Sequence, residues 1–405
     1  MLERRNMTRH WLVVTEEAFI PTDAGGRVET VNFLRAAVDA GVRVHAIIPG
    51  DGDQAAHRAT LPQITTTWIP RRTGLSAHLS RRPYIFASRP IPRGLVPRLI
   101  ALSASDPFDL VVSQTFRAAQ VGLGLAQALR LPLVIRPHNL ESDYFRRLSR
   151  SAVVTRRVPY LVEAWKVGRA ERRLHSCEAV AAFADLSYED ARTRAAVSTR
   201  PVVHVPPFVA TQNTSLQSGL LQPVRRRDGD TVLFIGSLDN ANNQAAVRWF
   251  LSAVWPLIKA GRPTTLFHVV GRRVPKALQR DLALADVTLT SDAPSTAVQL
   301  AEASVFVNPV QQGSGVNIKV VEAMAAGLPV VSTKMGSRGL AWESGRDLLV
   351  VDDAAAFADA VVGLLDDDKW RLDIGQAGED FVRRTLDGTH YIARLQELGT
   401  EAAGT

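Results

Sequence analysis

The sequence predicts an α/β protein built from two doubly wound domains. The chain has 405 residues, more than one hydrophobic core usually supports. Strand–helix–strand patterns recur in both halves, and that alternation implies parallel sheets. A polar stretch without apolar periodicity separates the halves.

The first half opens with Trp11-Leu12-Val13-Val14-Thr15, which reads as a buried strand. A loop with Pro21 and Gly25-Gly26 is expected next. A helix follows, with Val31, Leu34 and Val38 on one face and Gly41 at its end. Val42 to Ile48 reads as a second strand, closed by Pro49-Gly50. Asp109 to Ser113 is a strand, Ala118 to Leu129 a helix, and Leu133 to Ile135 a strand ending at Arg136-Pro137-His138-Asn139. Ala179 to Phe183 and Val202 to Val205 are further strands. Arg71 to Arg98, rich in proline and arginine, is expected to be a long surface excursion. Its arginines suit a solvated face more than a lipid site.

Pro206-Pro207 closes this half, and Ala210 to Asp230 reads as the linker. Beyond it, Thr231 to Ile235 is a strand running into Gly236-Ser237, and Gln244 to Ile258 is one amphipathic helix. Leu266 to Val270 is a strand before Gly271-Arg272, and Val305 to Val307 a strand before Asn308-Pro309. Val321 to Ala326 is a short helix, and Leu328 to Ser332 a strand. The expected domains are 1–207 and 208–385, with 386–405 a C-terminal helix and tail packing back on the first.

Composition narrows the function classes. Hydrophobic residues make up 46% and charged residues 22%, ordinary for a globular chain. The net charge of +8 suits an anionic partner: nucleic acid, an acidic membrane surface or a phosphorylated small molecule. An arginine- and alanine-rich chain also fits high-GC coding. One cysteine, Cys177, rules out an internal disulfide framework or a cysteine-rich metal site. That suits a reducing cytoplasm, which is the expected location. The apolar run Trp11 to Val14 is far too short for a signal or spanning helix. Peripheral contact with a membrane is left open.

The chemistry concentrates in Pro309 to Val331. A strand leads into Gly313-Ser314-Gly315, and a helix starts directly after. Glycines let a backbone approach a ligand closely. Free N–H groups and the positive end of the helix dipole favour phosphate. Lys319, in the first turn, can add an ammonium on the same anion. Glu322, three residues on, shares its face and can accept from sugar or ribose hydroxyls.

This segment resembles the donor-binding core of GT-B glycosyltransferases, in particular the retaining group-1/family-4 set. That set carries a Glu-x7-Glu pattern followed by Ala-Met-Ala-x-Gly-x-Pro-Val-Val. Here Glu322 and Ala323-Met324-Ala325-Ala326-Gly327-Leu328-Pro329-Val330-Val331 match the second half, while Ser314 stands at the first glutamate. Gly25-Gly26 resembles the family's glycine pair near donor phosphates and acceptor; it equally suits a tight turn. Arg136-Pro137-His138-Asn139-x-Glu141 is similar to a His-Asn-x-Glu stretch of some members. His138 also suits a core or capping histidine, and Glu141 a helix cap. Gly236-Ser237-Leu238 stands where many members have Gly-Arg, with Asn240 and Asn243 as partial substitutes. Gly271-Arg272 offers a second cation or a surface ion pair.

The resemblance implies two Rossmann-like domains facing a central cleft. It implies transfer of a sugar from a nucleoside diphosphate donor to a hydroxyl acceptor, with retention and without a metal or cofactor. Lys319, Arg272 and His138 are the expected catalytic residues. Gly25, Gly26, Gly236, Ser314, Gly315, Asn317, Lys319 and Glu322 are expected at the donor. The expected acceptor is a small molecule, a glycan or a lipid-linked sugar. A nucleotide-sugar epimerase or pseudo-glycosyltransferase on the same fold is the alternative. No Gly-x-Gly-x-x-Gly follows the first strand, against a dinucleotide oxidoreductase. No nucleic-acid recognition motif accompanies the basic charge.

Overall fold

A computed structural model describes residues 9–22, 24–151, 154–209, 230–293, 295–313 and 315–403. The chain divides into two compact units. The first takes the chain up to Phe208, apart from a short segment ending at Gly25, and resumes at Gly388; the second takes that segment and Val209–Asp387. The stretch read as a linker lies, from 210 to 229, outside the described residues.

The first unit holds seven strands: β1 (His10–Val14), β2 (Arg43–Pro49), β3 (Thr65–Ile69), β4 (Leu110–Ser113), β5 (Leu133–Ile135), β6 (Val180–Asp185) and β7 (Val202–His204). Their order is β3-β2-β1-β4-β5-β6-β7, and every pair is parallel. All residues of β1, β4, β5 and β6 are buried, as expected for strands covered on both faces. The helices are α1 (Gly25–Asp39), α2 (Gln54–Thr60), α3 (Leu75–His78), α4 (Tyr84–Ala87), α5 (Leu95–Ser105), α6 (Ala119–Leu129), α7 (Glu141–Ser151), α8 (Val154–His175) and α9 (Tyr188–Ala195).

Two expectations are corrected here. Gly25 and Gly26 do not sit in a loop; they form the first turn of α1. Residues 71–98 are not a plain surface excursion. They hold α3, α4 and the start of α5, and bury Ile85, Phe86, Leu95 and Arg89. Helices of four residues, such as α3 and α4, leave little periodicity to read. β3, with the sequence Thr-Thr-Thr-Trp-Ile, lacks the continuous apolar run that marks its neighbours.

The second unit holds β8 (Thr231–Ser237), β9 (Leu266–Arg272), β10 (Thr288–Ser291), β11 (Val305–Asn308), β12 (Val330–Ser332) and β13 (Leu349–Val350). The order is β10-β9-β8-β11-β12-β13, again parallel throughout. Gly236-Ser237 and Gly271-Arg272 are the last residues of their strands rather than loop residues. The helix expected over 244–258 is interrupted. Ala241–Trp249 passes through a π-turn at Phe250–Val254 into Trp255–Gly261. Pro256 has no N–H to donate to a preceding carbonyl, and a wider turn before it absorbs the mismatch.

In each sheet the strand order reverses direction at one point: beside β1 and β4 in the first, beside β8 and β11 in the second. Open α/β sheets bind ligands outside the carboxyl ends of the strands there.

The C-terminal helix Gly388–Ala403 belongs to the first unit. Its Ile392 and Leu395 share a core with Trp11, Phe33 and Phe208. Beside them lies a fully buried ion pair: Arg136, just past β5, donates to the Glu29 carboxylate of α1. Arg136 also donates to the Pro206 carbonyl at 2.7 Å and lies over the rings of Phe33 and Phe208. Glu29 accepts from the Phe208 N–H at 3.1 Å. Removing one partner of such a pair strands a buried charge. Arg136→Ala is therefore expected to destabilise the protein by about 3–5 kcal/mol, read as a fall in the urea midpoint. Glu29→Met with Arg136→Met should regain much of that loss.

Candidate active site

In the second unit, the carboxyl ends of β8 and β9 lie side by side. Gly236 pairs with Gly271, and Ser237 with Arg272. Glycine is required at 271, where a Cβ would come within 2.3 Å of Leu238 Cδ1. Arg272 donates to the Ser237 hydroxyl at 3.2 Å. A Cβ at Gly236 would press on Asn243 Nδ2 and the Phe234 ring, both at 3.1 Å. Gly236 thus keeps space for side chains that reach Lys319.

From β11 the chain runs through Gly315, in the left-handed region at φ 69°, to the helix Ile318–Ala325. Asn317 precedes that helix but does not cap it with its side chain. Its amide donates instead to the Gly336 carbonyl at 3.0 Å, which also accepts from Asn308 at 2.9 Å. Asn317 therefore anchors the loop; its carbonyl accepts from the Val320 N–H at 2.9 Å, and its side chain leaves the Ile318 and Lys319 N–H groups open to an anion. Ser314, expected at the donor sugar, lies outside the described residues.

Lys319 extends from the first turn of that helix. Its ammonium donates to Asn243 Oδ1 at 2.8 Å and lies 4.4 Å from the centre of the Phe234 ring. Asn243 is itself oriented by a 2.9 Å bond from its Nδ2 to the Ser237 carbonyl. The residue as a whole is partly exposed, but its charged end is enclosed, and burial lowers its pKa to about 7. Glu322, one turn on, is also partly exposed. Burial raises its carboxyl to about 7. Among the described residues its carboxyl has no hydrogen bond or ion pair. Asn240, expected as a partial phosphate ligand, caps the helix Ala241–Trp249 through a 2.8 Å bond from the Asn242 N–H.

In the first unit, His138 follows β5. A Cβ built on Gly26 would lie 3.8 Å from its Nδ1, so Gly26 gives the imidazole room beside α1. Burial, with Arg136 and Arg117 nearby, lowers His138 to about 3 although Glu16 acts the other way. The ring is therefore neutral at pH 7. Its Nε2 is buried without a hydrogen-bond partner among the described residues.

Around it is an ion-pair network that the sequence reading missed. Arg117 bonds Glu16 at 2.9 Å and Glu141 at 3.2 Å, and faces the Tyr144 ring at 5.5 Å. Arg89 donates to the Glu16 carbonyl at 2.7 Å. Burial would raise Glu16, but Arg117 and Arg89 draw it down to about 2. Glu141 opens α7 and is held by Arg117 rather than acting only as a cap. Glu16 and Arg117 both stand just past strands at the reversal point, the one signal that could have found them.

The two units thus offer different chemistry. The second presents a cation, open helix N–H groups and a carboxyl with no partner. The first presents a neutral imidazole in a charge-balanced frame. Among the described residues, no group of three or more His, Cys, Asp or Glu is placed to hold a metal ion.

Family models match most of the chain. Residues 229–367 match "Glycosyl transferases group 1", and residues 24–199 match "Glycosyl transferase 4-like domain". Over 185 residues the chain is 36% identical to a phosphatidyl-myo-inositol mannosyltransferase of Mycolicibacterium smegmatis, covering 44% of this chain and 47% of the relative. It is 33% identical over 113 residues to a D-inositol 3-phosphate glycosyltransferase of Corynebacterium glutamicum, 27% of this chain and 26% of that one. The chain spans less than half the length of the curated relatives it matches. A crystal structure of Anabaena HepE in complex with UDP and glucose superposes with a TM-score of 0.64. It is 14% identical and covers 95% of this chain and 98% of its own. WaaG, a glycosyltransferase involved in lipopolysaccharide biosynthesis, superposes with a TM-score of 0.61 at 15% identity, covering 96% and 99%.

The lowered Lys319 pKa gives a proton-linkage expectation. At pH 8 a lysine titrating near 7 is mostly neutral, and a bound diphosphate favours its charged form. Binding of a nucleoside diphosphate at pH 8 should then take up about one proton. Calorimetry in buffers of different ionisation enthalpy measures this, and Lys319→Met should abolish the uptake.

Proposed function

The chain belongs to the group-1 glycosyltransferases of the GT-B fold, and we propose that it moves a sugar from a nucleoside diphosphate donor to a hydroxyl acceptor. The observation that carries this reading is the second unit's Lys319, enclosed beside the open start of a helix. When the glycosidic bond to the donor breaks, negative charge grows on the departing diphosphate. A fixed ammonium and aligned N–H groups stabilise charge that appears there, and they need no reorganisation. The UDP in the HepE crystal structure supports a nucleoside diphosphate as the ligand of this fold.

Arg272 adds positive charge at the end of β9, beside Ser237. Glu322 suits the ribose or sugar hydroxyls, since its carboxyl has no partner among the described residues and can accept from them. His138, neutral and with a buried Nε2 that has no partner among the described residues, serves as a hydrogen-bonding group to a sugar or acceptor hydroxyl. A ring titrating near 3 is too weak a base to take a proton efficiently at pH 7. The reaction on this reading retains the anomeric configuration and needs no metal, the charge being met by side chains and backbone. The acceptor is a hydroxyl of a small molecule, a glycan or a lipid-linked sugar, and no nucleic acid takes part.

Lys319→Ala should lower turnover at saturating donor by on the order of 10²–10³ while the melting temperature stays near that of the parent. A coupled assay for nucleoside diphosphate release reads it, and unchanged turnover would refute the role. Transfer measured in excess EDTA should proceed at its full rate. Activity lost to the chelator and restored by magnesium or manganese would overturn the metal-free reading.

A further inference from the structure

Helix α8, Val154–His175, has two unlike faces. One packs on the first unit through Ala164, Val167, Gly168, Glu171 and Leu174. On the other, Val154, Val158, Leu161, Val162 and Trp165 recur at intervals of three and four residues. That spacing sets them in one stripe about 100° wide. All five are exposed: Val154 by 76%, Val158 by 65% and Trp165 by 62%. A stripe of this length on a water-facing helix marks an interaction surface.

The stripe does not end with the helix. Lys166 donates to the carbonyls of His78 and Ser80, at 3.4 and 2.7 Å, and Glu163 accepts from the Tyr84 N–H. These bonds hold the 78–84 segment against α8, and Leu79 within it is 82% exposed.

Charge identifies the occupant. The exposed residues of α8 include Arg156, Arg157, Arg169, Arg172 and Arg173. The helix's two acidic residues are withdrawn: Glu171 is buried and Glu163 is bonded to the 78–84 segment. Arg81 and Arg82 are exposed beside Leu79. An apolar stripe with a tryptophan, flanked by arginines and free of exposed acids, fits a lipid interface with anionic headgroups. No helix among the described residues is long and apolar enough to cross a membrane, so the contact is peripheral.

A cavity of about 610 Å³ lies behind this face. Ile85, Phe145, Leu148 and Tyr160 form part of its wall, and the exposed Val158 and Val162 also line it, so that it reaches this face. Arg89 and Arg117 of the ion-pair network around His138 also line it. It therefore runs from the apolar face toward the candidate site residues of this unit.

We propose that this face of the first unit docks on an anionic lipid surface, with the part of the cavity that reaches this face set against the hydrocarbon. Resting on the glycosyltransferase reading, this favours an acceptor that carries an apolar chain and is taken directly from the lipid.

The test is co-sedimentation of the full chain with vesicles of phosphatidylcholine alone or mixed with phosphatidylglycerol. Binding to the mixed vesicles is expected, weaker at high salt, with little binding to phosphatidylcholine. Leu161→Asp with Trp165→Asp should cut the partition coefficient about tenfold or more. Nucleoside diphosphate affinity should not change, which shows the fold intact and tests the donor site separately. If that variant does not fold, Arg169→Glu with Arg172→Glu and Arg173→Glu takes its place, with the same expected loss. A parent protein that stays in the supernatant overturns the proposal, as does a folded variant that sediments like the parent. So does a face that instead pairs two copies of the chain, seen as a dimer in sedimentation velocity that the substitutions dissolve.

Discussion

Much of the first unit is organised around the buried ion pair of Arg136 and Glu29. Arg136 and Glu29 are both removed from water, and burial opposes the charge on each. The penalty on each is offset in part by the other and by backbone groups around them. The geometry this demands fixes several elements at once. It sets the start of α1 against the end of β5, and it pins the chain at Pro206 and Phe208, where it leaves the unit. The rings of Phe33, Phe208 and Tyr391 stack in sequence at 5.9 Å, and so bring the C-terminal helix into the same frame. His138 is two residues from Arg136, so this pair also sets where the imidazole stands. Its low pKa follows from that position, in a dry site beside two guanidiniums.

The second unit solves a different problem. A lysine enclosed without a carboxylate partner is costly, and here the cost is limited by an amide oxygen and an aromatic face. Neither neutralises the charge. The site thus stays receptive to an anion, because its cation has not been satisfied by an internal acid. The loop that leads to it is held by side chains rather than by the ligand. Asn308 and Asn317 share the Gly336 carbonyl, and a side chain at 336 would collide with Ser332 and Asn308.

Much of this was legible in the sequence. β1, β5 and β11 announce themselves as short apolar runs, and the parallel order follows from helices between them. Lys319 and Glu322 are readable because a glycine-rich turn, a cation and a helix start occur together in one segment. Other parts depend on distant residues. Arg117 is one arginine among many until folding sets it between Glu16 and Glu141, which are separated from it in sequence by 101 and 24 positions. Asn317 reads as a ligand because it stands at a helix start, but its amide turns to a carbonyl 19 residues later. Residues 71–98 read as surface because arginines dominate, although Arg89 is buried to cap carbonyls from α4 and beyond β1. Composition cannot tell a solvated arginine from one that organises a core.

The C-terminal helix gives the chain an unequal topology. The second unit takes nearly all of its residues from one long segment, Val209–Asp387, whereas the first is completed by residues made after it. In effect one domain is inserted into the other. During synthesis the inserted domain can close on its own segment as soon as it leaves the ribosome. The host must wait with Trp11 and Phe33 incompletely covered until Ile392 and Leu395 arrive. A cut after Phe208 would therefore not release an independent N-terminal domain, whereas excision of 209–387 follows the natural seam. The order of assembly runs opposite to the order of the chain.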